Sequence, residues 1–276
     1  MTHRVIGLHH SSAGATGFRW IARCETIRRT AGETEGLLVV RELWLARHGE
    51  SVGNVAASRA EAEGLEVIPL ELRDADVPLS PAGIEQAEAL GRWLHGRLSG
   101  IDTVWSSPYL RARQTLDLAL GGTGRTVFSD ERIRDRELGV LDLLTRTGVQ
   151  ARFPTELARR RHLGKFYHRP PGGESWADVA LRLRSFFRDF GDTAGDRAFI
   201  MAHDAIVMVS LYVLLGLTES ALLEFAQQNV VGNASVTHLE LVDGRFRLVE
   251  FGIVEHLRVV GAPVTLHPGD EDVKPR

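Results

Sequence analysis

Leu43-Trp44-Leu45-Ala46-Arg47-His48-Gly49-Glu50-Ser51-Val52-Gly53-Asn54 is the stretch on which the fold turns. Four apolar residues in a row are too few for a helix and suit a strand buried on both faces. The chain then changes at once to charged and small residues, as it does where a strand ends and hands over to a helix. Two further apolar runs behave the same way. Thr103-Val104-Trp105-Ser106 is followed by Ser107-Pro108-Tyr109-Leu110-Arg111, and residues 198–202 are followed by His203-Asp204.

Helical patterns separate these runs. Residues 82–98 place Ile84, Ala87, Leu90, Gly91 and Leu94 at helical spacing, with Ser80 as the cap and Pro81 at the first position. Helices are also expected over 111–120, 177–190 and 205–215, the last stopped by Gly216. Residues 236–241 and 246–251 read as a closing hairpin across Asp243-Gly244. Strands alternating with helices imply an α/β fold, a three-layer α/β/α sandwich around a mostly parallel sheet. Ligands of such sheets bind beyond the carboxyl ends of the strands. Both histidines and both arginines named above fall there.

The 276 residues are 43% hydrophobic and 25% charged, enough for one sizeable core, and the net charge of −3 gives no global field for nucleic acid or an anionic membrane. Cys24 is the single cysteine, so neither an internal disulfide nor a thiol-based metal site is expected. His9-His10 reads as without a metal role, and no metal and no cofactor is expected. No secretory signal and no run of roughly 18 apolar residues is present, and the expectation is a soluble, cytoplasmic protein. Residues 1–36 read as a flexible N-terminal extension or the product of an early assigned start codon, 37–261 as the catalytic domain, and 262–276, rich in Pro, Gly and Asp, as a solvated polar tail.

The chemistry legible at the strand ends is that of phosphate. A phosphomonoester dianion repels nucleophiles, so a metal-free site needs fixed donors around its oxygens. Arg47 and Arg111 offer planar forks and His203 a further donor, while a neutral His48 can attack phosphorus in line. Gly49 admits the backbone, and Ser51 and Asn54 are either neutral donors to substrate or caps of the next helix. A leaving alkoxide also needs a proton from a carboxylic acid.

Arg47-His48-Gly49-Glu50-Ser51-Val52-Gly53-Asn54 resembles the Arg-His-Gly-x-Ser-x-x-Asn signature of the histidine phosphatase superfamily, in its phosphoglycerate mutase-like branch. Asp76-Val77-Pro78-Leu79-Ser80 with Gly83, Gln86 and Ala87, then Ser107 to Thr115, Pro171-Gly172-Gly173-Glu174-Ser175 and His203 are similar to its later blocks, in order. The resemblance implies catalytic roles for Arg47, His48, Arg111 and His203. It places Asp135 in the register of the general acid, where the family usually has Glu, with Glu137 as a neighbour able to take over. Asp204 follows the second histidine where Gly is common; it is a rival acid by likeness to the acid phosphatase branch, or a helix cap beside the substrate. Asn233-Ala234-Ser235-Val236-Thr237 resembles a segment near the end of broad phosphatases.

The expected activity is therefore phosphomonoester hydrolysis through a phosphohistidine, acting on a small phosphorylated substrate. A phosphomutase and a catalytically impaired phosphate-ester binding protein stand as alternatives. Substrate choice is expected from loops over 55–73 and 141–169. A homodimer is one option for the assembly.

Overall fold

The computed structural model describes residues 20–22 and 40–267. His9, His10 and Cys24 lie outside the described residues, as do the rest of 1–19 and 23–39 and the residues after His267.

Among the described residues seven strands form one sheet: β1 (Trp20–Ala22), β2 (Glu42–Arg47), β3 (Thr103–Ser106), β4 (Val127–Ser129), β5 (Arg197–Ala202), β6 (Val236–Val242) and β7 (Arg245–Ile253). Their order is β1-β4-β3-β5-β2-β6-β7. The first five are parallel, and β6 and β7 close the sheet antiparallel. The helices are α1 (Val52–Ala62), α2 (Pro81–His95), α3 (Leu110–Ala119), α4 (Arg146–Arg152), α5 (Pro154–Tyr167), α6 (Trp176–Phe190), α7 (Asp204–Leu215), α8 (Glu219–Gln228) and α9 (Glu255–Val259).

The strand β2 shows why three layers form. Successive side chains of a strand point to opposite faces. Leu43 and Leu45 join the core shared with α6 and α7, while Trp44 and Ala46 join the core shared with α2 and α3. Trp105, on the α6 side, is fully buried against Phe128, Phe186 and Phe190. Burying side chains of this size stabilises the layer by roughly 2–3 kcal/mol apiece. The expected α/β/α sandwich is thus the observed one.

The local signals act as read. Ser80 Oγ accepts from Gly83 N with Pro81 at the first position of α2, and Gly216 ends α7 with a φ of 63°. The hairpin turns on Asp243 and Gly244, both at positive φ.

Two expectations change. The stretches 55–73 and 141–169 are not simply loops, because they contain most of α1 and all of α4 and α5; short helices with weak apolar faces leave little periodicity to read. The described part of the tail, 262–267, is half-exposed but is not free in solvent, being held against the domain near the loop after β2. Thr265 accepts from Gln86 Nε2 at 2.9 Å and donates to Asn233 Oδ1 at 3.1 Å, and His267 Nε2 lies 2.7 Å from Glu50 Oε2. Buried polar groups on the domain, with Ala262 packed beside Ala89, Ala234 and Leu257, hold a segment too short to show a period. Of the residues preceding the domain, Trp20–Ala22 pairs with β4 at the sheet edge.

Candidate active site

His48 follows β2, the Ser107 to Arg111 segment follows β3, Asp135 lies six residues beyond β4, and His203 follows β5. Four neighbouring parallel strands therefore deliver their next residues to one edge. Arg47, His48, Arg111, Asp135 and His203 are brought together there.

The loop after β2 is pinned from both sides. His48 N donates to Ala202 O, and His48 O accepts from Ala234 N at 3.0 Å and from Asn233 Nδ2 at 3.3 Å. Gly49 N donates to Thr115 Oγ1 and Glu50 N to Gln86 Oε1. A Cβ on Gly49 would stand 2.6 Å from Gly83 O, and one on Gly83 would overlap Glu50 O. Glycine at both positions lets the loop seat on the first turn of α2.

Within this frame His48 Nδ1 lies 2.6 Å from Gly49 O. A carbonyl can only accept, so Nδ1 carries the proton and Nε2 keeps its lone pair. That lone pair accepts from Arg111 Nε at 3.2 Å. Burial, with Arg111, His203 and Arg47 adding to it, holds His48 well below the ordinary histidine range. The ring is neutral and its free nitrogen faces the arginine.

Arg111 is fixed by Asp135 and Asp74. Its Nη2 donates to Asp135 Oδ2 at 2.8 Å, and Asp74 takes Nη1 at 2.9 Å and Nη2 at 3.2 Å on its two carboxylate oxygens. Asp135 Oδ2 also stands 3.2 Å from His203 Nδ1, and Oδ1 accepts from Arg136 N. Burial alone would raise the Asp135 pKa, but His203, Arg111 and the Arg136 amide outweigh it and hold the carboxyl well below its usual range. His203 donates or accepts at 2.7 Å with Ser107 Oγ, and burial pushes its pKa down against the pull of Asp135.

The Asp135 segment is itself braced. Arg182 Nη1 donates to Arg132 O and Nη2 to Asp135 O, while its Nε donates to Glu174. Val140 N donates to Pro171 O and Glu174 N to Glu137 O. Gly139, with a φ of 57°, allows this close pairing, since a Cβ there would overlap Pro171 O.

The other expected residues lie at the rim of this group. Ser51 and Asn54 form the capping box of α1: Ser51 Oγ accepts from Asn54 N, and Asn54 Oδ1 accepts from Ser51 N and Asn233 Nδ2. Asp204 opens α7, its Oδ1 accepting from Ala205 N, and its charge acts on Arg47. Arg47 Nη1 donates to Val231 O at 2.7 Å and His267 O at 3.1 Å. Glu137 is half-exposed and accepts from Tyr109 Oη.

Asp74, Thr115, Asn233 and His267 have contacts in the site that sequence reading missed. Thr115 and Asn233 lay inside the quoted blocks, so that signal existed. Asp74 and His267 carry no local pattern.

Among the described residues, the buried nitrogens Arg47 Nε and His203 Nδ1 have no well-aligned hydrogen-bond partner, although Asp135 Oδ2 stands 3.2 Å from the second. Buried unpaired donors are costly unless a ligand answers them. Their place beside His48 Nε2 suits a tetrahedral oxyanion.

Known proteins share this fold and sequence pattern. The chain is 30% identical over 186 residues to the 2,3-bisphosphoglycerate-dependent phosphoglycerate mutase of Methylobacterium radiotolerans, covering 65% of this chain and 82% of that one. Its fold matches the mycobacterial glucosyl-3-phosphoglycerate phosphatase complexed with VO3, with a TM-score of 0.62, 27% identity, and 77% and 99% of the two chains covered. It also matches the alpha-ribazole phosphatase of Shigella flexneri, with a TM-score of 0.64, 20% identity and coverage of 77% and 96%. The family model for the histidine phosphatase superfamily, branch 1, matches residues 43–254. With its parallel strands delivering His48, Arg111 and His203 to one edge, the chain belongs to the histidine phosphatase superfamily.

Proposed function

We propose that the protein is a metal-independent phosphomonoesterase that works through a phosphohistidine on His48. The observation that carries this reading is the Nδ1 to Gly49 O bond, which leaves Nε2 unprotonated 3.2 Å from the Arg111 guanidinium. A nucleophile with a depressed pKa beside a fixed cation is the arrangement phosphoryl transfer requires.

In the first step the His48 Nε2 lone pair forms a bond to phosphorus as the ester P–O bond breaks. The leaving oxygen takes a proton from the Asp135 carboxyl, which takes that proton up from solvent as the substrate binds. Asp135 is ionised in the resting site, but a phosphoryl dianion that takes over Arg111 Nη2 and His203 removes the partners that keep it so, and adds negative charge beside it. Both effects raise its pKa. In the second step Asp135 takes a proton from water, the hydroxyl attacks phosphorus, the N–P bond breaks, and neutral His48 is restored.

Glu137 and Asp204 fit the donor role less well. Glu137 is tied to Tyr109 and is half in solvent, and Asp204 accepts from Ala205 N in the first turn of its own helix. A cytoplasmic location and a small phosphorylated substrate belong to the same proposal. A mutase reading draws support from the named relative, and would pass the phosphoryl group to a second hydroxyl instead of water.

The test is phosphate release from a panel of phosphomonoesters in chelator, with His48→Ala as the comparison. Loss of release and of acid-labile labelling in the variant is expected. Full activity of His48→Ala would overturn the reading, and isomerisation without phosphate release would favour the mutase.

A further inference from the structure

An Arg side chain has five N–H donors, and in Arg111 all five are engaged. Nε is on His48 and one Nη2 hydrogen on Asp135. Asp74 takes the other three, through its carbonyl at 2.6 Å and its two carboxylate oxygens at 2.9 and 3.2 Å. The guanidinium is locked with its outer edge neutralised. An incoming phosphoryl group can displace Asp135 from the inner edge, but no part of Arg111 is left over for a second anionic arm of the substrate.

The surroundings of that outer edge are acidic. Tyr109 packs under the Arg111 guanidinium, 5.0 Å away, and its hydroxyl donates to Glu137. Burial raises the Tyr109 hydroxyl pKa, and Glu137, Asp74 and Asp135 raise it further. Burial likewise raises Asp142, with Asp74 and Glu137 adding to it and Arg111 opposing. Asp74 and Glu137 act on both groups in the same direction as burial, and on Asp142 the guanidinium of Arg111 opposes them. The nearby arginines are committed elsewhere: Arg73 to Asp76 and Arg134 to Glu174. Deeper in, Arg47 Nε and His203 Nδ1 remain as the unpaired donors that receive the phosphoryl oxygens.

Resting on the phosphatase reading, we infer that the substrate is a phosphomonoester whose alcohol carries no anionic group of its own, either neutral and hydroxylated or cationic, and that Asp74 and Asp142 exclude carboxylate-bearing esters. The phosphoryl group finds donors at the bottom of the site. A carboxylate on the leaving alcohol finds Asp74, Asp142 and Glu137 at the mouth, where like charges repel and no free guanidinium compensates. A hydroxyl or ammonium group finds acceptors.

Three esters with two-carbon alcohols separate these cases: 2-hydroxyethyl phosphate, phosphoethanolamine and phosphoglycolate. Expected is a kcat/KM for phosphoglycolate at least about tenfold below that for 2-hydroxyethyl phosphate, one pK unit's worth of interaction, with phosphoethanolamine at or above the neutral ester. Asp142→Asn and Asp74→Asn should each narrow the gap. Asp142 is not among the hydrogen-bond or ion-pair partners of Arg111, so its variant carries the test if Asp74→Asn fails to fold. Calorimetric binding of the same esters to His48→Ala gives the ranking without turnover. A wild type that hydrolyses or binds phosphoglycolate as well as the neutral ester overturns the inference. Absence of hydrolysis of all three, with the binding order kept, overturns the phosphatase reading and leaves the inferred specificity standing.

Discussion

Arg111 Nη2 donates to Asp135 Oδ2 at 2.8 Å, so the cation that should receive the phosphoryl group is bonded in the resting site to the carboxylate that should later give up a proton. On the proposed mechanism one event, displacement of Asp135 by phosphate, would both bind the substrate and raise the pKa of the acid. The short Asp side chain fits this double use, because its Oδ2 reaches Arg111 and His203 together.

Replacing Asp135 by Asn should therefore lower kcat by about 10²–10⁴, the usual contribution of a positioned acid. The loss should be greatest for alkyl phosphates and much smaller for p-nitrophenyl phosphate, whose leaving group needs no proton. Glu137→Gln and Asp204→Asn should leave the alkyl-to-aryl ratio near that of wild type. Steady-state rates on the two ester types check this, and an Asp204→Asn variant showing the large alkyl-selective loss would transfer the role.

His48 must be neutral to attack, so activity should fall only as pH drops through its depressed pKa. The acid limb of kcat/KM assigned to His48 should lie below pH 6.5, the ordinary histidine value. Arg111 is among the causes of the depression, and Arg111→Gln should move the His48 titration upward. Imidazole nitrogen shifts followed by NMR read that titration directly, whatever the variant does to turnover.

Much of the site was legible because it is local in sequence: a strand, then Arg47-His48-Gly49, and a strand, then His203. The parallel sheet converts that shared position into proximity. What was not legible is long-range. Asp74 reaches Arg111 across 37 positions and His267 reaches Glu50 across 217, and neither residue stands in a pattern that announces a partner. The helices α4 and α5 are hidden for a different reason, since their few apolar residues, the core residue Phe166 among them, follow no clear helical period.

Burial lowers the pKa of His48, His168, His203 and His256 below the 6.5 of an unfolded histidine. The unfolded chain binds more protons than the folded one below that value, so their contribution is intact above pH 6.5 and is lost as pH falls toward the folded pKa values. Asp178, lowered to about 2, acts in the same direction but only below the 3.8 of an unfolded carboxyl. Urea midpoints between pH 7.5 and 5 should therefore drop, by up to about 1.4 kcal/mol per pH unit for each histidine titrating. A flat profile over that range would contradict the neutral, buried histidines.

Removal of residues after Gly261 should destabilise the domain well beyond what an unattached tail would. Thr265 and His267 satisfy Gln86, Asn233 and Glu50, and Gln86 and Asn233 are fully buried. Leaving such groups unpaired costs about 1–3 kcal/mol each. Asn233 also donates to His48 O, so the truncation should lower activity along with the urea midpoint. Thr265→Ala should show a smaller change of the same sign.

Gly83 and Gly96 stand in the same helix region and should respond oppositely to alanine. At Gly83 a Cβ would overlap Glu50 O, which is backbone of the His48 loop and has no room to move because Ser80 N donates to it. Gly83→Ala should cost about 1–3 kcal/mol, as other forced overpacking does, and should displace the loop enough to reduce kcat. Gly96, at the end of α2 with a φ of −68°, offers the Cβ only Trp93 O at 3.9 Å. Alanine fits that backbone and restricts the unfolded chain, so Gly96→Ala should be neutral or stabilising by up to about 1 kcal/mol with activity unchanged. Urea unfolding of the two variants, run beside their steady-state rates, makes the comparison. Equal tolerance at both positions would mean that the close seating of the His48 loop on α2 is not what holds the nucleophile in place.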